Sequence, residues 1–159
     1  MGKVLEKVKQ CEAIIDYEFK EKHHGVEALF TYTGNCQELG ALVEIKKNDG
    51  LGILGDIILQ DHLCRKWLEL GLSKKDWSRI RQEVASNANL AAIGKAKALD
   101  ACVVLNPGQT AVQDSIMATT VEAIIGAVDL DGGKAAAEKV IERLSLSHDL
   151  LKPATTILP

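Results

Sequence analysis

Apolar residues recur at helical spacing along most of this chain. Between Val4 and Ile15 they fall three or four positions apart among charged residues, which is the pattern of a helix with one buried face. The same spacing predicts helices over Leu51–Leu70, Asn87–Leu99 and Thr110–Val128. No set of alternating apolar and polar runs is typical of a strand ladder. The pattern therefore predicts an all-α fold of about seven helices.

Turn and capping residues set the limits of several segments. Ser73 with Asp76 reads as a capping box that opens a helix. Gly132-Gly133 predicts a break before a last helix over Lys134–Leu144. Leu39–Ile45 is apolar and fits either a strand or a helix.

Length and composition limit the number of domains. The chain has 159 residues, of which 47% are hydrophobic and 26% are charged. These values are typical of one globular domain with a real core. We assign residues 1–150 to that domain and expect residues 151–159, which contain two prolines, to form a flexible tail.

Charge and cysteine content narrow the function classes. The net charge is −3, and no basic block exceeds the pairs Lys46–Lys47 and Lys74–Lys75, which argues against tight nonspecific binding of nucleic acid. Four scattered cysteines without a CxxC motif indicate reduced thiols. No apolar run approaches a membrane span, and the first ten residues lack an apolar leader. We expect a soluble protein of the cytoplasm or another reducing intracellular compartment, with no membrane partner.

A glycine motif suggests a nucleotide site that the rest of the chain does not support. Gly50, Gly52 and Gly55 spell GxGxxG, but the dinucleotide-binding motif needs several parallel strands alternating with helices. Those strands are not predicted here. We favour the interpretation that the glycines let a second helix approach closely.

Acidic residues inside apolar segments are the strongest candidates for functional side chains. Asp56 and Glu122 each lie in a run of apolar residues, where an unpaired charge is costly. Asp49 shares a helix face with Asp56, so all three carboxylates could converge if the two helices cross face to face. Converging carboxylates hold hard divalent cations. The alternative is a pair of buried acids satisfied by backbone amides or by an arginine, for which the candidates are Arg65, Arg79 and Arg81.

The sequence resembles the ribonuclease III family. Residues 48–56, NDGLGILGD, resemble its signature NERLEFLGD, and residues 115–133 resemble its motif SILADxxEALIGAIYLDGG. Residues 11–30 and 72–99 are similar to the family's first helices and to its LSxxxLSxxRxxLVSN segment. Order and spacing hold over roughly residues 5–145. The resemblance implies the all-α endonuclease-domain fold and a two-fold homodimer, with the signature helix near the interface.

The resemblance also implies a metal site. Family members cleave double-stranded RNA with magnesium ions held by four acids. Asp56 and Glu122 match two of these acids, whereas Gly52 and Thr119 stand where the other two are expected. Asp49 replaces a glutamate associated with the cleavage chemistry. The resemblance therefore makes Asp49, Asp56 and Glu122 the candidate catalytic residues, and Asp56 and Glu122 candidates for a weak metal site.

Three functions remain open. The first is a pseudo-nuclease that binds structured RNA or serves as a scaffold after the loss of half of the metal ligands. The second is an altered but active double-stranded-RNA endonuclease that uses Mg²⁺ or Mn²⁺. The third is a cleft that carries out acid/base chemistry on a small molecule without a cofactor.

Overall fold

A computed structural model describes residues 2–153 of the chain. This part of the chain is mostly helical, as the periodicity predicts. Residues 154–159, most of the expected tail, lie outside the described residues. The described helices are α1 (Lys3–Ile15), α2 (Lys22–Leu29), α3 (Asp49–Glu69), α4 (Lys74–Ala85), α5 (Asn87–Ala96), α6 (Asp114–Gly132) and α7 (Lys134–Arg143).

A short hairpin interrupts the helical pattern. Strands β1 (Gly34–Cys36) and β2 (Val43–Ile45) pair antiparallel, with Gly34 opposite Ile45. The prediction that the chain has no strand pairing is wrong at this point, because three-residue strands are too short to show an alternating pattern. Only the last three residues of the ambiguous segment 39–45 are a strand.

Helix α6 forms the centre of the core. Nearly every residue from Met117 to Val128 is buried, and α2, α3, α5 and α7 pack around it. The predicted start at Thr110 is wrong, because the chain remains a loop up to Gln113. Asp114 opens the helix, where a carboxylate interacts favourably with the positive end of the helix dipole.

Glycines let α3 and α6 cross at close range. A Cβ atom on Gly55 would overlap the carbonyl oxygen of Glu122, and one on Gly126 would lie 2.5 Å from the carbonyl oxygen of Leu51. These distances are too short for any side chain, so backbone meets backbone. The helix-approach interpretation of the glycine motif is confirmed for Gly55.

The caps explain where the neighbouring helices begin and end. Gly71 has φ +65°, a left-handed conformation that suits glycine after a helix. Ser73 Oγ accepts a hydrogen bond of 3.1 Å from the amide of Asp76, which is one half of the predicted capping box. Gly133 separates α6 from α7 as predicted. No described helix is long and apolar enough to span a membrane.

Candidate functional site

A cleft of about 680 Å³ opens between α3, α4 and α6. Asp56 from α3 and Glu122 from α6 lie in it, both half-buried. We call it the Asp56–Glu122 cleft. Helix α4 and the start of α5 supply the opposite wall. The remaining lining residues are Gln60, Trp77, Ser78, Arg81, Gln82, Ala85, Ser86 and Asn87.

The two acids of the cleft interact directly. Asp56 accepts a hydrogen bond of 2.8 Å from the Gln60 amide. Burial raises the pKa of Glu122 to about 7, and the neighbouring Asp56 carboxyl adds to the rise through its charge and a hydrogen bond. Near neutral pH Glu122 is therefore protonated in a substantial fraction of the molecules. A carboxyl group that titrates near neutrality suits general acid/base catalysis.

Arginine does not neutralise this pair. Arg65 binds Asp61 and Arg79 binds Glu83, each at 3.0 Å and each along its own helix. Arg81 reaches the cleft, yet it forms no ion pair with any residue in the described part of the chain. The alternative of an arginine-satisfied acid therefore does not describe this site.

Asp49 lies in a different cavity. Its carboxylate accepts a hydrogen bond of 3.0 Å from the amide of Gly50, at the start of α3. It lines a groove of about 520 Å³ together with Lys47, Asn48 and Thr119. We call this the Lys47 groove. The structure thus brings Asp56 and Glu122 together in one cleft and places Asp49 outside it, so a catalytic role for Asp49 stays a prediction.

Gly52 and Thr119 face each other at the helix crossing. A Cβ atom on Gly52 would lie 3.1 Å from Thr119 Cγ2 and 3.3 Å from the Thr119 carbonyl oxygen. Gly52 precedes Asp56 by one turn on α3, and Thr119 precedes Glu122 by one turn on α6. These positions therefore adjoin the acid pair but add no carboxylate to it.

The donor set does not fit a magnesium centre of the kind that the resemblance implies. Within residues 2–153, no group of three or more histidine, cysteine, aspartate or glutamate side chains is placed to hold a metal ion. Mg²⁺ requires near-octahedral oxygen ligands, and carboxylates offset the cost of its dehydration. The two carboxylates that line this cleft supply only part of that charge.

Sequence reasoning missed the helix α4 wall of the cleft. The centroid of the Trp77 ring lies 5.8 Å from that of Trp67, and Trp77 also lines the cleft beside Arg81. The cap at Ser73 sets the start of α4, and residues 77 and 81 are four positions apart on one face. That spacing was available in the sequence. The packing partner of that face was not.

The sequence of this chain is similar to a family model and to known proteins. A family model described as Ribonuclease-III-like matches residues 37–148. The chain is 33% identical over 145 residues to Ribonuclease 3 of Syntrophotalea carbinolica, covering 86% of this chain and 61% of that protein. It is 34% identical over 127 residues to Ribonuclease 3 of Bordetella avium, covering 76% of this chain and 49% of that protein.

A solved structure has the same fold. The nuclease domain of ribonuclease III from Campylobacter jejuni superimposes with a TM-score of 0.73 at 23% identity, covering 86% of this chain and 94% of that one. That structure is described as showing flexibility in a region involved in dimer formation.

These matches define the class of protein. The chain belongs to the ribonuclease III-like family, and its helical domain is a ribonuclease III nuclease-domain fold. It spans between about half and three fifths of the length of the two relatives named above.

Proposed function

We propose that this domain binds structured RNA, as a recognition or scaffolding module, without cleaving it by the metal-dependent route of the family. One observation carries the proposal. At the crossing of α3 and α6, the acid pair Asp56–Glu122 adjoins a glycine and a threonine, and no other described residue joins the pair to form a group of three that could hold a metal ion. The donor set in the described residues thus lacks the charge that would hold catalytic Mg²⁺ or Mn²⁺.

The Lys47 groove supports the RNA-binding part of the proposal. It runs past the first residues of α3 and α6, whose helix dipoles favour anions. Lys46 and Lys47 are exposed beside it, and neither forms an ion pair with another described residue. Cationic groups with no internal partner are free to contact phosphates, and phosphate contacts supply most of the affinity of nonspecific RNA binding.

Duplex RNA cleavage tests the catalytic half of the proposal. We expect no metal-dependent cleavage by the natural chain at high enzyme concentration with Mg²⁺ or Mn²⁺. The double variant Gly52→Glu with Thr119→Asp, which rebuilds four acids at the crossing, is expected to gain measurable cleavage. Adding Glu122→Ala to that variant should abolish the gain. Metal-dependent cleavage by the natural chain that Glu122→Ala removes would overturn the proposal.

Salt dependence of binding tests the RNA half. We expect duplex RNA to bind at low salt, with an affinity that falls steeply as salt rises. Replacing Lys46 and Lys47 by glutamine should reduce the slope of log affinity against log salt by about one per lost phosphate contact. The matched control replaces Lys74 and Lys75 by glutamine, another exposed basic pair that lies at the start of α4. No binding at low salt, or equal effects of both double variants, would contradict the proposed site.

We further infer that the domain acts as a homodimer. Helix α3 exposes two large apolar side chains one turn apart, with Ile53 67% and Ile57 60% exposed. Apolar side chains of this size are costly to leave in water, so a second copy that covers them would be stabilised. The description of the Campylobacter jejuni domain as dimer-forming supports the same arrangement.

A further inference from the structure

The Asp56–Glu122 cleft contains unpaired charges of both signs. Asp56 receives a neutral amide hydrogen bond from Gln60 and interacts with Glu122, but neither acid forms an ion pair with a described residue. Arg81, on the facing wall, is also without an ion pair in that part of the chain. A cavity that leaves both a carboxylate pair and a guanidinium uncompensated is complementary to a molecule that carries both charges.

The positions of the charged side chains determine which part of the cleft attracts the positive group of such a molecule and which part attracts its negative group. The acids are half-buried, so an ammonium group is attracted to them in surroundings of lowered dielectric. The same acids repel phosphate, which argues against an RNA backbone inside the cleft. Arg81 is exposed on the facing wall and can hold a carboxylate in two parallel hydrogen bonds. Trp77 adds an apolar surface to the lining of the same cleft.

We propose that the Asp56–Glu122 cleft binds a small zwitterion, with its ammonium group on Asp56 and Glu122 and its carboxylate on Arg81. The cleft volume of about 680 Å³ lies within the range of small-molecule sites and leaves room for several methylene groups between the charges. This site goes beyond the proposed RNA binding and does not depend on it.

Three probes with the same carbon chain test this assignment by titration calorimetry on the whole chain. They are 6-aminohexanoate, which has both charges, hexylamine, which has only the ammonium, and hexanoate, which has only the carboxylate. We expect 6-aminohexanoate to bind most tightly and hexylamine about tenfold more weakly, since one charge-assisted contact is lost. Hexanoate should show no binding at a probe concentration of about 10 mM, at which even a millimolar dissociation constant would be detected.

Variants assign the contacts. Arg81→Gln should weaken 6-aminohexanoate to the level of hexylamine and leave hexylamine unchanged, whereas Glu122→Gln should weaken both. Arg79→Gln is the matched control, since Arg79 lies on the same helix but pairs with Glu83. Circular dichroism and the melting temperature verify that each variant is folded.

Two outcomes would contradict the proposed zwitterion site. Absence of heat with all three probes would reject the site. If Arg81→Gln and Arg79→Gln changed the binding of 6-aminohexanoate equally, the proposed contact between Arg81 and the carboxylate would be rejected. Duplex-RNA binding measured on the same samples separates the two proposals, because loss of RNA binding with retained probe binding would count only against the RNA proposal.

Discussion

At the scale of single residues, the most strongly held carboxylate is structural and lies away from the cleft. Asp131, in the last turn of α6, accepts hydrogen bonds from Tyr17 Oη at 2.6 Å and His24 Nδ1 at 2.9 Å. It also accepts from the amides of Lys20 at 2.8 Å and Glu21 at 2.9 Å, just before α2 begins. Burial by itself raises the pKa of Asp131, but these hydrogen bonds lower it more, so the net pKa lies well below its usual range. Asp131 therefore ties the start of α2 to the end of α6.

Replacing this carboxylate should destabilise the fold in a pH-dependent manner. We expect Asp131→Asn to lower the free energy of unfolding at pH 7 by about 3 kcal/mol, because several charge-assisted hydrogen bonds to a buried group are lost. The pKa of Asp131 is lower in the folded than in the unfolded chain, where it is about 4. The stabilisation by this carboxylate is therefore fully present above about pH 4 and is lost progressively as the pH falls from there toward the folded-state pKa. Urea unfolding at pH 7 and pH 3 measures this, and the difference between the two proteins should shrink at pH 3.

Asp129→Asn, on the same helix, is the matched control for Asp131→Asn. The Asp129 carboxylate accepts no hydrogen bond from the described residues and lines a separate cavity of about 210 Å³ beside His62. That variant should unfold like the natural protein. Equal effects of the two variants would show that charge at the end of α6, and not the hydrogen-bond network, stabilises this junction.

At the scale of elements, the crossing of α3 and α6 positions the acid pair. We expect Gly55→Ala to lower the free energy of unfolding by about 3 kcal/mol, because the new methyl group would overlap the carbonyl oxygen of Glu122 and force the helices apart. Gly50→Ala is the control on the same helix, since nothing lies within 4 Å of its added Cβ. That change should be neutral or stabilise by up to about 1 kcal/mol.

Urea unfolding of both glycine variants measures the difference, and the cleft supplies a second readout. Separation of the helices in Gly55→Ala should also lower the pKa of Glu122 from about 7 toward its ordinary range, since burial and Asp56 raise it. Carboxyl titration by nuclear magnetic resonance would detect that change. A Gly55→Ala protein as stable as Gly50→Ala would contradict the close crossing.

At the scale of the whole molecule, the exposed face of α3 predicts the oligomeric state. We expect sedimentation to show a dimer, and Ile53→Glu with Ile57→Glu to convert it to a monomer, because four charges would enter one apolar interface. Leu68→Glu is the control, since Leu68 is 64% exposed but lies near the other end of α3. A natural chain that sediments as a monomer, or a dimer that both changes disrupt equally, would contradict an interface at Ile53 and Ile57.

The fold was predictable where local patterns dominate. Helices α1, α3 and α7 lie within a few residues of their predicted limits, and α4 begins at its predicted cap, because apolar spacing and caps specify them locally. The β1–β2 hairpin and the late start of α6 were not predictable in this way. A three-residue strand is stabilised by its pairing partner across the hairpin, which lies outside the local pattern.

The sequence by itself determined the family, the helical pattern, the glycines that permit a close helix crossing and the two acids in apolar surroundings. Only the tertiary structure decided that Asp56 and Glu122 share a cleft, that Asp49 lies in another groove, and that Trp77 and Arg81 face the acids. The physical reason is that residue spacing determines which side chains share a helix face. The point and angle at which helices cross determine which faces meet, and those depend on the packing of the whole core.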